Sequence, residues 1–108
     1  MSEQIFQAIE NTINNNDVVL YMKGTKEMPQ CGFSATVVRI LEKLGVNFVD
    51  VDVLKSMEIR EGIKQFSDWP TIPQLYVKQE FVGGCDIVKE MFQSGELEVL
   101  LKEKGVIA

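Results

Sequence analysis

Val18-Val19-Leu20-Tyr21-Met22 is an unbroken apolar run, rich in β-formers, lying between Asn14-Asn15-Asn16 and Lys23-Gly24. A short apolar stretch bounded by turn residues reads as a strand buried on both faces. A polar loop, Lys23 to Gln30 with Gly24 and Pro29, follows it. A helix then fits Ser34 to Leu44, with Val37, Val38, Leu41 and Leu44 as its apolar face and Gly45 placed to end it. Val46 to Val53 alternates imperfectly and reads as a second strand. Strand, helix and strand in succession imply a parallel pair, because the crossover helix returns the chain to the same end of the sheet.

Working outward, Ser2 is placed to cap a first helix carrying Ile5, Ile9 and Ile13 at four-residue spacing with Phe6 beside them. Downstream, Ser56 can cap a third helix holding Ile59, Ile63 and Phe66, which stops before Asp68-Trp69-Pro70. Pro73 opens a strand: Gln74 to Val77 and Glu80 to Val82 read as a hairpin, although Lys78-Gln79 lacks the usual Asn-Gly or Asp-Gly signal. Asp86 can cap a helix through Ser94, Gly95 ends it, and Glu96 to Lys104 makes a last amphipathic helix. The order αβαβαββαα predicts an α/β fold. Its sheet would be four-stranded and mixed, a parallel pair plus an antiparallel hairpin, flanked by about five helices in one domain over residues 1–108.

Composition narrows the chemistry. The chain has 108 residues, of which 45% are hydrophobic and 25% charged, an ordinary globular balance that can form a core without disulfide staples. A net charge of -5 has the wrong sign for a protein that neutralises phosphates, so nucleic acid is not expected as a partner. The absence of histidine excludes Ser-His-Asp and Cys-His triads and His-bearing zinc sites. Two cysteines, Cys31 and Cys85, cannot complete an all-cysteine zinc site in one chain. No basic flank precedes an apolar run at the amino terminus and no stretch approaches membrane-spanning length, so a cytosolic setting with reduced thiols is expected.

In open α/β sheets the chemistry collects where a strand's carboxyl end feeds the next helix, and Cys31 stands there. Backbone N–H groups and the positive end of the helix dipole would lower its thiol pKa, with Lys23 adding a nearby cation. Ser34 occupies the place of a resolving thiol, and a hydroxyl cannot resolve a mixed disulfide; Ser34 also suits the role of helix N-cap.

Lys23-Gly24-Thr25, Pro29-Gln30-Cys31-Gly32-Phe33-Ser34, Trp69-Pro70-Thr71-Ile72-Pro73 and Gly83-Gly84-Cys85-Asp86, in this order, resemble the monothiol glutaredoxins of the CGFS type over nearly the whole chain. The hairpin turn lacks the glycine often found there and the carboxyl tail is short; neither departure touches the motifs. The resemblance implies a thioredoxin-like fold with a cis bond before Pro73, and Ile72 backbone pairing with a bound peptide. It implies glutathione as that peptide. Lys23 and Arg60 would hold the glycine carboxylate, while the N–H groups of Cys85 and Asp86 receive the γ-glutamyl carboxylate and the Asp86 side chain takes the amino group. Arg60 is the least specific of these, since its helix would carry charge on an exposed face in any case. Cys85 could resolve a disulfide at Cys31, ligate metal or pack quietly, and its backbone is the better candidate.

A [2Fe–2S] cluster needs four ligands, usually thiolates. The family implies that two chains each supply Cys31 as metal ligand and two glutathiones supply the rest, so a cluster-bound homodimer is expected. BolA-like proteins and apo iron–sulfur acceptors would be its partners. The alternative is an enzyme, a glutathione-dependent thiol–disulfide oxidoreductase with Cys31 as nucleophile.

Overall fold

The computed structural model describes residues 3–108, so the cap expected at Ser2 lies outside the described residues. The elements are α1 (Glu3–Asn14), β1 (Val18–Met22), α2 (Gly32–Lys43), β2 (Val49–Asp52), a 3-10 turn (Val53–Lys55), α3 (Met57–Ser67), β3 (Gln74–Val77), β4 (Glu80–Gly83), α4 (Cys85–Ser94) and α5 (Glu96–Glu103). The sheet runs in the order β2-β1-β3-β4. β1 pairs in parallel with β2, and antiparallel with β3, which pairs antiparallel with β4. This is the thioredoxin-like architecture expected.

Every residue of β1 is buried because alternate side chains enter different cores. Val18, Leu20 and Met22 pack with Val37, Val38 and Leu41 of α2 and with Val88, Leu97 and Leu101. Val19 and Tyr21 face Ile9, Ile13 and Ile63 on the other side. An alternating polar pattern would have left one face wet. The unbroken apolar run therefore did report a central strand covered on both faces.

Several boundaries differ from expectation. The second strand is shorter, since Val46 still closes α2 (its N–H donates to Leu41 at 3.0 Å) and the Asp52 carboxylate accepts from Leu54, starting the 3-10 turn. α2 begins two residues early, at Gly32 with Cys31 as its N-cap residue. Ser34 is consequently no cap. Likewise Gly84, and not Asp86, is the N-cap of α4, which begins at Cys85. The last helix ends at Glu103, with Lys104 as its cap.

Ser56 does cap α3, accepting from Ile59 at 3.2 Å. The hairpin turn uses Lys78 and Gln79 in left-handed conformation (φ 48° and 74°), where Asn-Gly is the usual choice. Lys78 is held there by its N–H to the Asp17 carbonyl at 2.7 Å and its ammonium to the Asp17 carboxylate at 3.1 Å. Among the described residues, no helix is long and apolar enough to cross a membrane.

Candidate functional site

The loop between β1 and α2 turns back on itself so that the chain returns beside its starting point at the carboxyl end of β1. Gln30 N–H donates to the Lys23 carbonyl at 2.9 Å, and Thr25 and Met28 exchange backbone hydrogen bonds. Two carboxylates of β2 hold the loop from outside: Asp52 accepts from Gly24 N–H at 2.9 Å and Asp50 from Lys26 N–H at 2.8 Å. Lys26 also donates to the Phe48 carbonyl at 2.8 Å and lies over that ring. From inside, the buried Ser34 hydroxyl accepts from Lys23 N–H at 3.1 Å. Cys31 is thereby fixed next to Lys23 at the head of α2.

Partial burial opposes ionisation of Cys31, yet its thiol pKa is lowered. The N–H groups of Ser34 and Phe33, the Lys23 ammonium and the Ser34 hydroxyl together outweigh desolvation. Cys85 behaves oppositely: burial pushes its thiol up, Asp86 adds to the rise, and the field of Cys31 reaches it despite Lys89. The two thiols are thus shifted in opposite directions, Cys31 toward ionisation and Cys85 away from it. Alkylation followed across pH is expected to give Cys31 an inflection below the usual thiol value of 9.0 and Cys85 one above it. By linkage, a lowered folded pKa contributes stability that is complete above the unfolded value and lost as pH falls through the folded one. A single inflection at or above 9.0 for Cys31 would contradict this site.

A groove of about 420 Å³ opens over Cys31, lined among others by Lys23, Arg60, Ile72 and Asp86. It runs from α3, on one face of the sheet, across Ile72-Pro73 to the head of α4 on the other. Lys23 and Arg60 line it with no ion-pair partner among the described residues, and Lys64 joins them, 3.4 Å from Glu61. At α4, no side chain caps the helix, so its leading N–H groups remain available. Between these, the Ile72-Pro73 bond is cis. The backbone N–H and C=O of Ile72 have no hydrogen-bond partner among the described residues. A second hollow on the far side of Cys31 is bounded by Phe33, Thr36, Cys85 and Lys89.

All five residues expected at the site besides Cys31 line this groove: Lys23, Arg60, Ile72, Cys85 and Asp86. Arg60 earns its place by facing the groove from a helix whose charges could equally have faced water. Lys64 was not foreseen; its signal is the spacing from Arg60, one helical turn on the same face. Trp69 belongs to a quoted motif, but nothing local reveals that its indole N–H is buried without a partner among the described residues. It sits close to Gly84: a Cβ there would stand 3.4 Å from the indole nitrogen and 3.2 Å from the Pro73 carbonyl. An orphan buried donor is unfavourable.

The family profile described as Glutaredoxin matches residues 18–82. A relative described as probable monothiol glutaredoxin 2, from Rickettsia typhi, is 61% identical over 104 residues, covering 96% of this chain and 94% of the relative. Among solved structures, reduced apo GrxS14 from poplar superimposes with a TM-score of 0.83 at 46% identity, covering 93% of this chain and 92% of that one. A buckwheat glutaredoxin–glutathione complex, at 24% identity and a TM-score of 0.86 over the full length of both chains, shares the fold.

Proposed function

The chain belongs to the glutaredoxin family and is a monothiol glutaredoxin, and from that premise we propose that it binds glutathione and carries a [2Fe–2S] cluster between two protomers to acceptor proteins. The observation that carries the reading is the Cys31 thiol, its pKa lowered, lining a groove with cations along one part and a helix N-terminus at another. A tripeptide with a carboxylate at each end fits that distribution of charge. Lys23 and Arg60 would take the glycine carboxylate by charge-assisted hydrogen bonds. The unpaired backbone of Ile72 would pair with the peptide as an added strand does. The N–H groups at the head of α4 would take the γ-glutamyl carboxylate, leaving the Asp86 side chain for the ammonium. The glutathione sulfur then lies beside Cys31.

With two cysteines and no histidine, one chain cannot fill a cluster's four ligand positions, and the raised pKa of Cys85 speaks against it as a thiolate ligand. Two Cys31 thiolates and two glutathione thiolates close the count. Such a cluster is cargo: half its ligands are exchangeable small molecules, which favours release. BolA-like proteins and apo iron–sulfur proteins are the proposed recipients, in a cytosolic, reducing setting.

Anaerobic reconstitution with iron, sulfide and glutathione tests this. A coloured dimer with one iron and one sulfide per chain is expected, and no colour when glutathione is left out. Colourless monomer in every condition would sink the carrier reading.

The same lowered thiol pKa favours a second reading, a glutathione-dependent oxidoreductase. There the Cys31 thiolate attacks the glutathione sulfur of a protein mixed disulfide and releases the protein thiol. A second glutathione thiolate then attacks the new Cys31 disulfide and leaves as glutathione disulfide, so the substrate is reduced and two glutathiones are oxidised. Robust Cys31-dependent deglutathionylation by a protein that takes up no cluster would establish this reading instead.

A further inference from the structure

Gln74 is the first residue of β3 and is completely buried, in a strand otherwise made of Leu75, Tyr76 and Val77. Its amide is fully committed. The Nε2 group donates to the Trp69 carbonyl at 3.2 Å and to the Thr71 carbonyl at 3.1 Å, while Oε1 accepts from the Tyr76 hydroxyl at 3.2 Å. Only one orientation of the amide satisfies all three partners, since two carbonyls require its two N–H bonds. Burial raises the Tyr76 pKa to about 12, so that hydroxyl keeps the proton it donates.

The segment so held cannot hold itself. Pro70 and Pro73 have no N–H, and residues 70–73 make no backbone–backbone hydrogen bond among the described residues. The Trp69 and Thr71 carbonyls, before and within it, turn toward Gln74, where an apolar neighbour would leave them unsatisfied at considerable cost. The side chain of Gln74 replaces the missing ladder. This same segment presents Ile72 to the groove.

We infer that Gln74 is a positioning residue: by binding the Trp69 and Thr71 carbonyls from beneath, it fixes the backbone against which a groove ligand pairs. It touches no ligand itself and acts through the loop. The ligand part of this inference rests on glutathione being the occupant of the groove.

Trp69 is the chain's one tryptophan and its carbonyl is one of the two that Gln74 holds, so intrinsic fluorescence reports the loop without any ligand. Gln74→Leu and Gln74→Glu are compared with wild type by emission maximum, acrylamide quenching, and titration of the reduced protein with glutathione, following the amide signals of Ile72 and Asp86. In Gln74→Leu, a red-shifted, more quenchable Trp69 is expected with roughly tenfold weaker glutathione binding, the loss of one to two net hydrogen bonds. Shifts at Ile72 should shrink while those at Asp86 persist at saturation. A buried carboxyl at this position keeps its proton and can still donate once, so Gln74→Glu should fall between the two. A merely structural role would lower Tm and leave the emission, the affinity and the Ile72 shifts unmoved, and that result overturns the inference. If Gln74→Leu fails to fold, native emission and affinity in Gln74→Glu overturn it equally. Altered emission in the variants, with wild type not binding glutathione, would uphold the loop's dependence on Gln74 and refute the glutathione reading alone.

Discussion

Cys31→Ser protein is expected to leave anaerobic reconstitution colourless and monomeric, with thiol labelling reduced to the slow reaction of Cys85. The substitution changes one atom, and a serine oxygen can still accept from the Phe33 and Ser34 N–H groups that face the sulfur. As the N-cap residue of α2, Cys31 makes no side-chain cap hydrogen bond, and its carbonyl still accepts from Ala35 N–H at 2.9 Å whatever the side chain. Thermal stability should therefore stay within about 0.5 kcal/mol of wild type. The chemistry does not survive. The surroundings that lower the thiol pKa cannot ionise a serine hydroxyl, and the soft ligand preference of iron–sulfur clusters is lost with the sulfur. Iron and sulfide per chain, the visible spectrum and the elution volume read the result together. A coloured dimer from Cys31→Ser protein would mean that another group, Cys85 foremost, ligates the cluster.

Gly24→Ala is expected to cost more than about 3 kcal/mol and to lower Tm by on the order of 10 °C. Gly24 sits at φ 88°, a conformation that disfavours any side chain. The added Cβ would also stand 2.6 Å from both the Gln30 nitrogen and the Met28 carbonyl oxygen. Those are backbone atoms of the same tight loop, so no rotamer change relieves the clash. Gly45→Ala is the matched control: its φ is 71°, but a Cβ there meets nothing within 4 Å. It should cost only about 1 kcal/mol. The loop that Gly24 closes also carries Lys23 and delivers Cys31 to α2. Gly24→Ala should therefore raise the Cys31 inflection toward the usual thiol value, whereas Gly45→Ala should leave it alone. Equal Tm losses in the two variants would show that the close approach at Gly24 is readily relaxed.

These effects mark how far the site could be read before folding. That Cys31 belongs at a helix start and that Ser56 caps α3 are local facts, carried by turn residues and by neighbours within a few positions, whereas the place of Ile72-Pro73 at the site came only from the family resemblance. Ser34 shows the limit of such reasoning. Its type suits a cap, yet the helix begins earlier, and the hydroxyl is buried against Lys23 N–H, a partner eleven residues away. Asp86 misleads for the same reason, because Gly84 can cap through backbone geometry alone. Asp50 and Asp52 read as ordinary strand polarity and prove to be the anchors of the active loop, twenty-four and twenty-eight residues from the groups they bind.

The element order, the central place of β1, the reactive cysteine and the family were all legible in the unfolded chain, because apolar periodicity, turn chemistry and contiguous motifs are properties of short segments. Folding settled the rest. It brought Arg60 and Lys64 from one side of the sheet, and the head of α4 from the other, to a single groove with Cys31. It lowered the pKa of one thiol and raised that of the other. It also set Gln74, an ordinary polar residue in the chain, against the carbonyls of the groove-lining loop. Each of these depends on which distant groups share a desolvated space, and burial and electrostatics act through that space regardless of separation along the chain.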